Sequence, residues 1–306
     1  MGWLQGIGKN QKGTVVVLVA TMISFFIGMC ALVVDLGILY LNRVELVNAI
    51  DAAALAGAQD LPDNMEAAKA AVARYALANG QANVTPSVSA DGRELVVNAV
   101  ATREVPLFFA RIFGLHTANV SATATVHMYA VSGIKNLSIV PWGIHWGNNI
   151  TYGTPLTLKH GAYGTTGGTE VAYGPLSLGG TGASIYKNNI MHGYAATIKI
   201  GDIIPADSTA NISGPTSEGV QYRISQDPSA TFATVSSHSA RIVVVPVIDD
   251  SFRVQGFAAV FLEGVAGQGV NNIVTGRFMQ MVIPSDTDGT GSLTADYGVY
   301  TAKLIK

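Results

Sequence analysis

The sequence predicts an α+β protein in three parts: a long amino-terminal helix of transmembrane or pilin-like type, a small α+β neck, and an all-β, glycine-rich domain. Three observations carry this. Thr14 to Val34 runs 21 residues without a charge. Apolar residues then continue at helical spacing to about residue 60, where helix, turn and strand signals begin to alternate. From Asn136 onward, short apolar stretches are separated by Gly, Asn, Pro and Asp clusters, and 23 of the 34 glycines fall there. The expected divisions are a cytoplasmic leader over 1–13, an apolar helix continued as an amphipathic stalk over 14–60, the neck over 61–135, and the β-rich outer domain over 136–306.

Composition narrows the function before any motif is read. Only 12% of the 306 residues are charged and 49% are hydrophobic, about half the ~25% charge of an ordinary soluble domain. A cytosolic enzyme is disfavoured. Disorder is excluded, because a net charge of -2 accompanies high apolar content. No Lys/Arg run supplies the counterion release that drives nucleic-acid binding, so no nucleic-acid partner is expected. Cys30 is the single cysteine, so an intrachain disulfide is impossible and packing alone must hold an exported form together.

The first element is a helix that crosses a membrane. At 1.5 Å rise per residue, Thr14 to Val34 spans about 31 Å, the thickness of a hydrocarbon core. Val15, Val19, Ile23, Phe26 and Leu32, with Asp35, Gly37 and Tyr40 just beyond the span, are the candidate membrane-facing or helix-packing residues. Lys9 and Lys12 precede it and Asp35 is the first charge after it, so the positive-inside rule expects an N-in, C-out topology. A cleaved signal peptide is the alternative, but its apolar region is shorter and ends at small residues. A lipid-modified Cys30 fits poorly after Ile27, Gly28 and Met29, and Cys30 reads as a small apolar residue of the span.

Beyond the span, Leu36, Leu39, Tyr40, Val44, Val47, Ile50, Ala54 and Leu55 recur at helical spacing. Pro62 closes this stalk, and Asp63 or Asn64 caps a next helix over Met65 to Ala78. The alanines at 52 to 54, 56 and 58 allow close packing against a neighbouring helix. Val84 to Ala90 and Glu94 to Ala101 read as strands joined at Asp91-Gly92, a favourable tight turn. Pro106 opens a short amphipathic helix in PLFFARIFGLH, and Asn119 to Tyr129 alternates as an outer strand would.

The stretch QKG at Gln11 to Gly13, the apolar helix and VVDLGILYLNRVELVNAIDAAALAGAQDL at Val33 to Leu61 together carry a resemblance. They resemble the amino-terminal signature of TadE/TadG-like proteins of tight-adherence, Flp-type pilus systems. Matching positions include Asp35, Gly37, Tyr40, Arg43, Asn48, Asp51, Ala53 and Gly57, and the likeness runs over about 11–130. It implies an envelope-anchored pilin-like or pilus-assembly component without a catalytic centre. TadE-type pseudopilins carry a glutamate five residues after the cleaved glycine. Leu18 stands there if Gly13 is that glycine, which favours the uncleaved TadG-like branch. Some members of that branch add a von Willebrand A-like domain with a D-x-S-x-S metal site. Here Asp249, Ser251 and Arg253 lack the last serine, and 53 residues follow Arg253; a β-hairpin turn is the reading of this stretch.

The outer region, with 9 basic and 11 acidic residues, is nearly neutral. Leu137 to Ile144, Ala195 to Ile200, Arg241 to Ile248, Gly256 to Leu262 and Arg277 to Ile283 read as strands without helical runs, a β-sandwich or compact β-domain. Pro246 inside one of them predicts a bulge or an edge. The uncharged, Gly- and Thr-rich loop Tyr152 to Gly182 suits either intermolecular packing or a solvent loop.

Motifs of chemistry are sparse. His116, His127, His145, His160, His192 and His238 form no paired zinc spacing. Ser184 to Lys187 and Ser132 to Lys135 match S-x-x-K without its companion motifs. Asp286 and Asp288 precede Gly289 as in half a calcium loop, but the remaining ligands are missing and an acidic turn is expected. Trp142, His145 and Trp146 read as core or interface aromatics, with sugar stacking as the alternative. The sequons at Asn83, Asn136, Asn149 and Asn211 read as polar turns.

The expectation is a structural, non-enzymatic, envelope-anchored component of a Tad/Flp-type pilus or adhesion apparatus, with no cofactor, no metal and no small-molecule substrate. Its partners are other pilus subunits, a homo-oligomer, and the membrane through its helix. It lies in the inner (cytoplasmic) membrane with its carboxy-terminal region outside, or in an extracellular filament. The alternatives are a filament subunit that bundles its amino-terminal helices, and an envelope hydrolase whose catalytic groups meet only on folding.

Overall fold

The computed structural model describes residues 11–62, 64–91, 94–135, 138–146, 150–161, 172–207, 212–283 and 297–305. Helix α1 (Gln11–Ala58) is one unbroken run of 48 residues, about 72 Å long at 1.5 Å per residue. Span and stalk are therefore a single element. Over Thr14 to Val34 the helix is apolar on every side and the chain leaves it uncovered. From Leu46 one face turns inward: Leu46, Ala49, Ile50, Ala53, Ala54, Gly57 and Ala58 are buried, at the alternating three- and one-residue steps of an amphipathic helix.

A turn over 59–62 reverses the chain, and the Asn64 side chain caps α2 (Met65–Ala78) by accepting the Ala67 N–H at 2.9 Å. Of the two expected caps, Asp63 lies outside the described residues. Helix α2 presents Ala68, Ala71, Val72 and Ala76 inward, all small enough for close approach. Strands β1 (Val84–Asp91) and β2 (Glu94–Pro106) pair antiparallel without a register shift, from Val84 opposite Ala101 to Asp91 opposite Glu94; Gly92, the second residue of the expected turn, is outside the described residues. The expected amphipathic helix after Pro106 is one 3₁₀ turn, Ala110–Phe113. Strand β3 (Thr117–Ala130) then pairs with β2 from Leu95 opposite Met128 to Pro106 opposite Thr117. Its alternation buries Val120, Ala122, Ala124, Val126 and Met128 against the helices.

The outer region holds β4 (Gly133–Ile134), β5 (Trp142–Ile144), β6 (Pro155–His160), β7 (Ala172–Pro175), α3 (Ala183–His192), β8 (Ile198–Lys199), α4 (Ser213–Gln226), β9 (Ile242–Ile248), β10 (Val254–Ala266), β11 (Ile273–Met279), β12 (Met281–Val282) and β13 (Val299–Ile305). The protein is α+β, with a mostly β region after the long and the short helix. Helices α3 and α4 correct the expectation of strands alone in that region.

The neck sheet has the order β1-β2-β3-β13-β12, the outer sheet β6-β11-β10-β9-β5-β7, and β4 pairs with β8. Two expectations change. Strand β3 is the middle strand of five, not an outer one. The carboxy-terminal strand β13 returns to the neck and pairs with β3 from Tyr300 opposite Ala130 to Ile305 opposite Thr125, so the boundary at 135/136 does not hold for the chain end.

Strand β9, at the centre of the outer sheet, is buried on both faces, which explains the unbroken apolar run Ile242–Ile248. Val243, Val245 and Val247 face a core completed by Tyr186, Ile190, Ile212 and Val220 of the helical side. Val244 and Ile248 face a second core with Val131, Ile134, Ile283 and Val299, where the chain passes between outer region and neck. Pro246 is on an interior strand, not an edge. Its missing N–H falls where the ladder to the neighbouring segment is interrupted, between the Ile139–Val244 bridge and the Ile144–Val247 pair.

Candidate functional site

The feature that organises the molecule is the junction where α1 stops being bare and becomes packed. Asp35 stands there with 5% of its surface exposed. Its carboxylate accepts three backbone N–H groups of the loop after β2: Phe108 at 2.8 Å, Phe109 at 3.1 Å and Ala110 at 2.7 Å. These are the donors left over at the start of the 3₁₀ turn, and a carboxylate is the acceptor suited to them. Burial alone would raise the Asp35 carboxyl, but the three donors, with Arg111 beyond them, outweigh it and hold it below the usual carboxylate range.

About two and three turns further along α1, a second polar link joins helix to sheet. Arg103 of β2 donates from Nη1 to Asn42 Oδ1 at 2.9 Å and to Glu45 Oε2 at 3.1 Å, and from Nε to Gln81 Oε1 at 3.3 Å. Asn42 also donates to the Ile38 carbonyl at 2.9 Å, which fixes its amide. Asn42, Glu45 and Arg103 escaped the sequence reading, because the partners lie about 60 residues apart and no local spacing announces them.

Above these links the helices close on each other. A Cβ at Gly57 would lie 2.5 Å from Val72 Cγ2 and 2.8 Å from the Ala68 carbonyl oxygen, so glycine is required for α2 to pack here. The predicted motif residues thus divide. Asp35, Ala53 and Gly57 point into the neck. Gly37, Tyr40, Arg43 and Asn48 are exposed on the stalk, and Asp51 is half-buried. Val15, Val19, Ile23, Phe26 and Leu32 are exposed along the span.

The other candidate chemistry falls into place as structure. Asp249 Oδ1 accepts the Ser251 and Arg253 N–H groups at 2.8 and 3.0 Å, and Oδ2 accepts from Gln255 at 2.8 Å. This is the turn between β9 and β10, and the backbone donors, Arg253 first, lower the Asp249 carboxyl. Trp142 is fully buried, and its Nε1–H donates to Tyr186 Oη at 2.7 Å. Trp146 packs edge-on against Phe278 and Tyr297. Lys187 of the S-x-x-K match pairs with Glu218 at 2.9 Å. His127 stacks on Tyr129 and His192 packs edge-on against Tyr222. Among the described residues no group of three His, Cys, Asp or Glu side chains is gathered as a metal site would need; Asp286 and Asp288 lie outside those residues, as do Asn136, Asn149 and Asn211.

Residues 13–60 match the family model described as putative Flp pilus-assembly TadE/G-like, and residues 81–125 match the model described as putative Tad-like Flp pilus-assembly. Over these two segments the chain is similar to Tad pilus-assembly proteins. The two matched segments cover less than half of the chain. Neither the curated proteins nor the solved structures returned a match. The first Tad segment is α1 with the turn after it, and the second contains β1, β2, the 3₁₀ turn and the start of β3. The links from Asp35 to the Phe108–Ala110 amides and from Asn42 and Glu45 to Arg103 join the first matched segment to the second. The Tad match supports a pilus-associated structural role, and α1 is long and apolar enough to cross a membrane.

Proposed function

We propose that this chain is a non-enzymatic, membrane-anchored component of a Tad/Flp-type pilus or adhesion apparatus. Residues 14–34 hold it in the cytoplasmic membrane, residues 1–13 face the cytoplasm, and the neck and outer region stand outside. The observation that carries this reading is the change of character along one unbroken helix. It is uncovered and free of charge for the thickness of a bilayer core, then tied into its own domain from Asp35 onward. Val15, Val19, Ile23, Phe26 and Leu32 contact lipid. Gly37, Tyr40, Arg43 and Asn48 are uncovered on the stalk and meet other pilus subunits or a second copy of the chain.

The same bare surface supports a second reading, in which copies of α1 bundle in a filament core in place of lipid. Leu18 in place of glutamate favours the anchored form. Protease treatment of intact cells, with mass spectrometry of the protected peptides and the amino terminus, tests the topology. Retained Met1, with residues 1–13 protected and the outer region digested, is expected. A chain beginning at Thr14, or a protected outer region, would refute it.

A further inference from the structure

We propose that Phe108–Leu115 is a second membrane contact, an aromatic wedge seated in the outer leaflet beside the point where α1 leaves it. The inference rests on reading Thr14–Val34 as the membrane span. Phe108, Phe109, Ile112, Phe113 and Leu115 are all exposed, Ile112 to 81% and Phe113 to 84%, and no residue of the 3₁₀ turn is buried. So dense an apolar surface on one short loop marks a contact with something outside the chain.

Depth decides what that something is. The loop is tied by three backbone hydrogen bonds to Asp35, the first residue beyond the span. The headgroup layer on each side of a bilayer is about 6 Å thick, and a four-residue 3₁₀ turn is only about 8 Å long. The near end of the loop is therefore fixed at the level where the span ends. It also leans inward: Phe109 borders an apolar groove whose other walls are Ile23, Phe26, Ile27, Cys30, Ala31 and Val34, all on the membrane side of Asp35. The wedge surface is thus continuous with the lipid-facing surface of the helix. Arg111, whose guanidinium lies 6.0 Å from the Phe108 ring centroid, can reach headgroup phosphates while its stem stays in the apolar layer. Aromatic and aliphatic residues beside one cation are the composition of segments that lie in the interface plane.

Nitroxide labels on the full chain, reconstituted in vesicles of phosphatidylcholine and phosphatidylglycerol, test this. In a Cys30→Ala background, single labels are placed at Ile112→Cys and Phe113→Cys, with Phe26→Cys in the span and Gln59→Cys at the far end of the stalk as references. These four side chains are exposed, so labelling leaves the core intact. The expected result is an oxygen-to-nickel-chelate collision ratio at 112 and 113 several-fold above that at 59, corresponding to about 5–10 Å below the headgroup boundary, with 26 deeper still. Water-like ratios at 112 and 113 with a deep 26 would overturn the wedge and leave the span standing. Water-like ratios at all four would overturn the span and the wedge with it. Dipolar broadening at 112 or 113 with a water-like ratio would assign the surface to a protein contact and also overturn the proposal.

Discussion

Asp35 Oδ2 accepts the backbone N–H of Ala110 at 2.7 Å, across 75 positions of sequence. The contact joins the first residue after the apolar span to the loop between two neck strands, so the orientation of the neck on its helix depends on it. Asp35→Ala leaves the Phe108, Phe109 and Ala110 donors without their acceptor. Amide hydrogen exchange at these positions should accelerate, while exchange within β2 and β3 stays slow. Acid should act in the same direction. The folded carboxyl titrates below its ordinary 3.8, so its contribution is complete above that value and is lost as pH falls through the folded one.

Gly57 and Gly37 lie on the same helix, and substitutions there should have opposite signs. A side chain at Gly57 meets the Ala68 backbone and Val72, so Gly57→Val should cost about 1–3 kcal/mol through overpacking. Gly37 has nothing within 4 Å of an added Cβ, so Gly37→Ala should add up to about 1 kcal/mol through helix propensity. Thermal unfolding of the detergent-solubilised chain, followed by circular dichroism, measures both.

Tyr186 joins Trp142 on β5 to Thr216 on α4, with Oη 2.7 Å from the indole nitrogen and 3.2 Å from the threonine hydroxyl. Tyr186→Phe keeps the ring and removes the acceptor of a buried indole N–H. The expected loss is about 1–3 kcal/mol, read as a lower denaturant midpoint with an unchanged m-value.

Lys159 is buried and donates to Asn272 Oδ1 at 2.9 Å. Burial lowers its ammonium from 10.5 to about 8. Between these values the unfolded chain binds more protons than the folded one, so stability should rise with pH across that window. Below the folded value the cost of burying the charge is fully present. Lys159→Met should flatten this dependence, as measured by melting temperature against pH.

The amino-terminal half of the fold was legible because its signals are local. The charge-free span, the helical recurrence through Ile50 and Ala54 and the cap at Asn64 each lie within a few residues of what they specify, whereas Leu36, Tyr40 and Val44 of the same recurrence are exposed. Helices α3 and α4 were not legible for the opposite reason. Helix α4 begins Ser213-Gly214-Pro215 and carries Gly219, a poor helix former that its packing requires: a Cβ there would lie 2.6 Å from Ile190 of α3. Tertiary contact holds these helices, and intrinsic preference does not mark them. The return of Val299–Ile305 to the neck and the Asp35–Ala110 link depend on pairings across the chain that no spacing records. The motif named Asp35 without naming its partner.

The central claim is that the chain is held by its own helix in the membrane beside the pilus and does not build the pilus shaft. Sheared filaments and alkali-washed membranes from the same cells, probed for this chain, compare the two destinations directly. The account predicts that the chain stays with the washed membranes and is depleted from the filaments. A filament preparation in which this chain is the major band would contradict it.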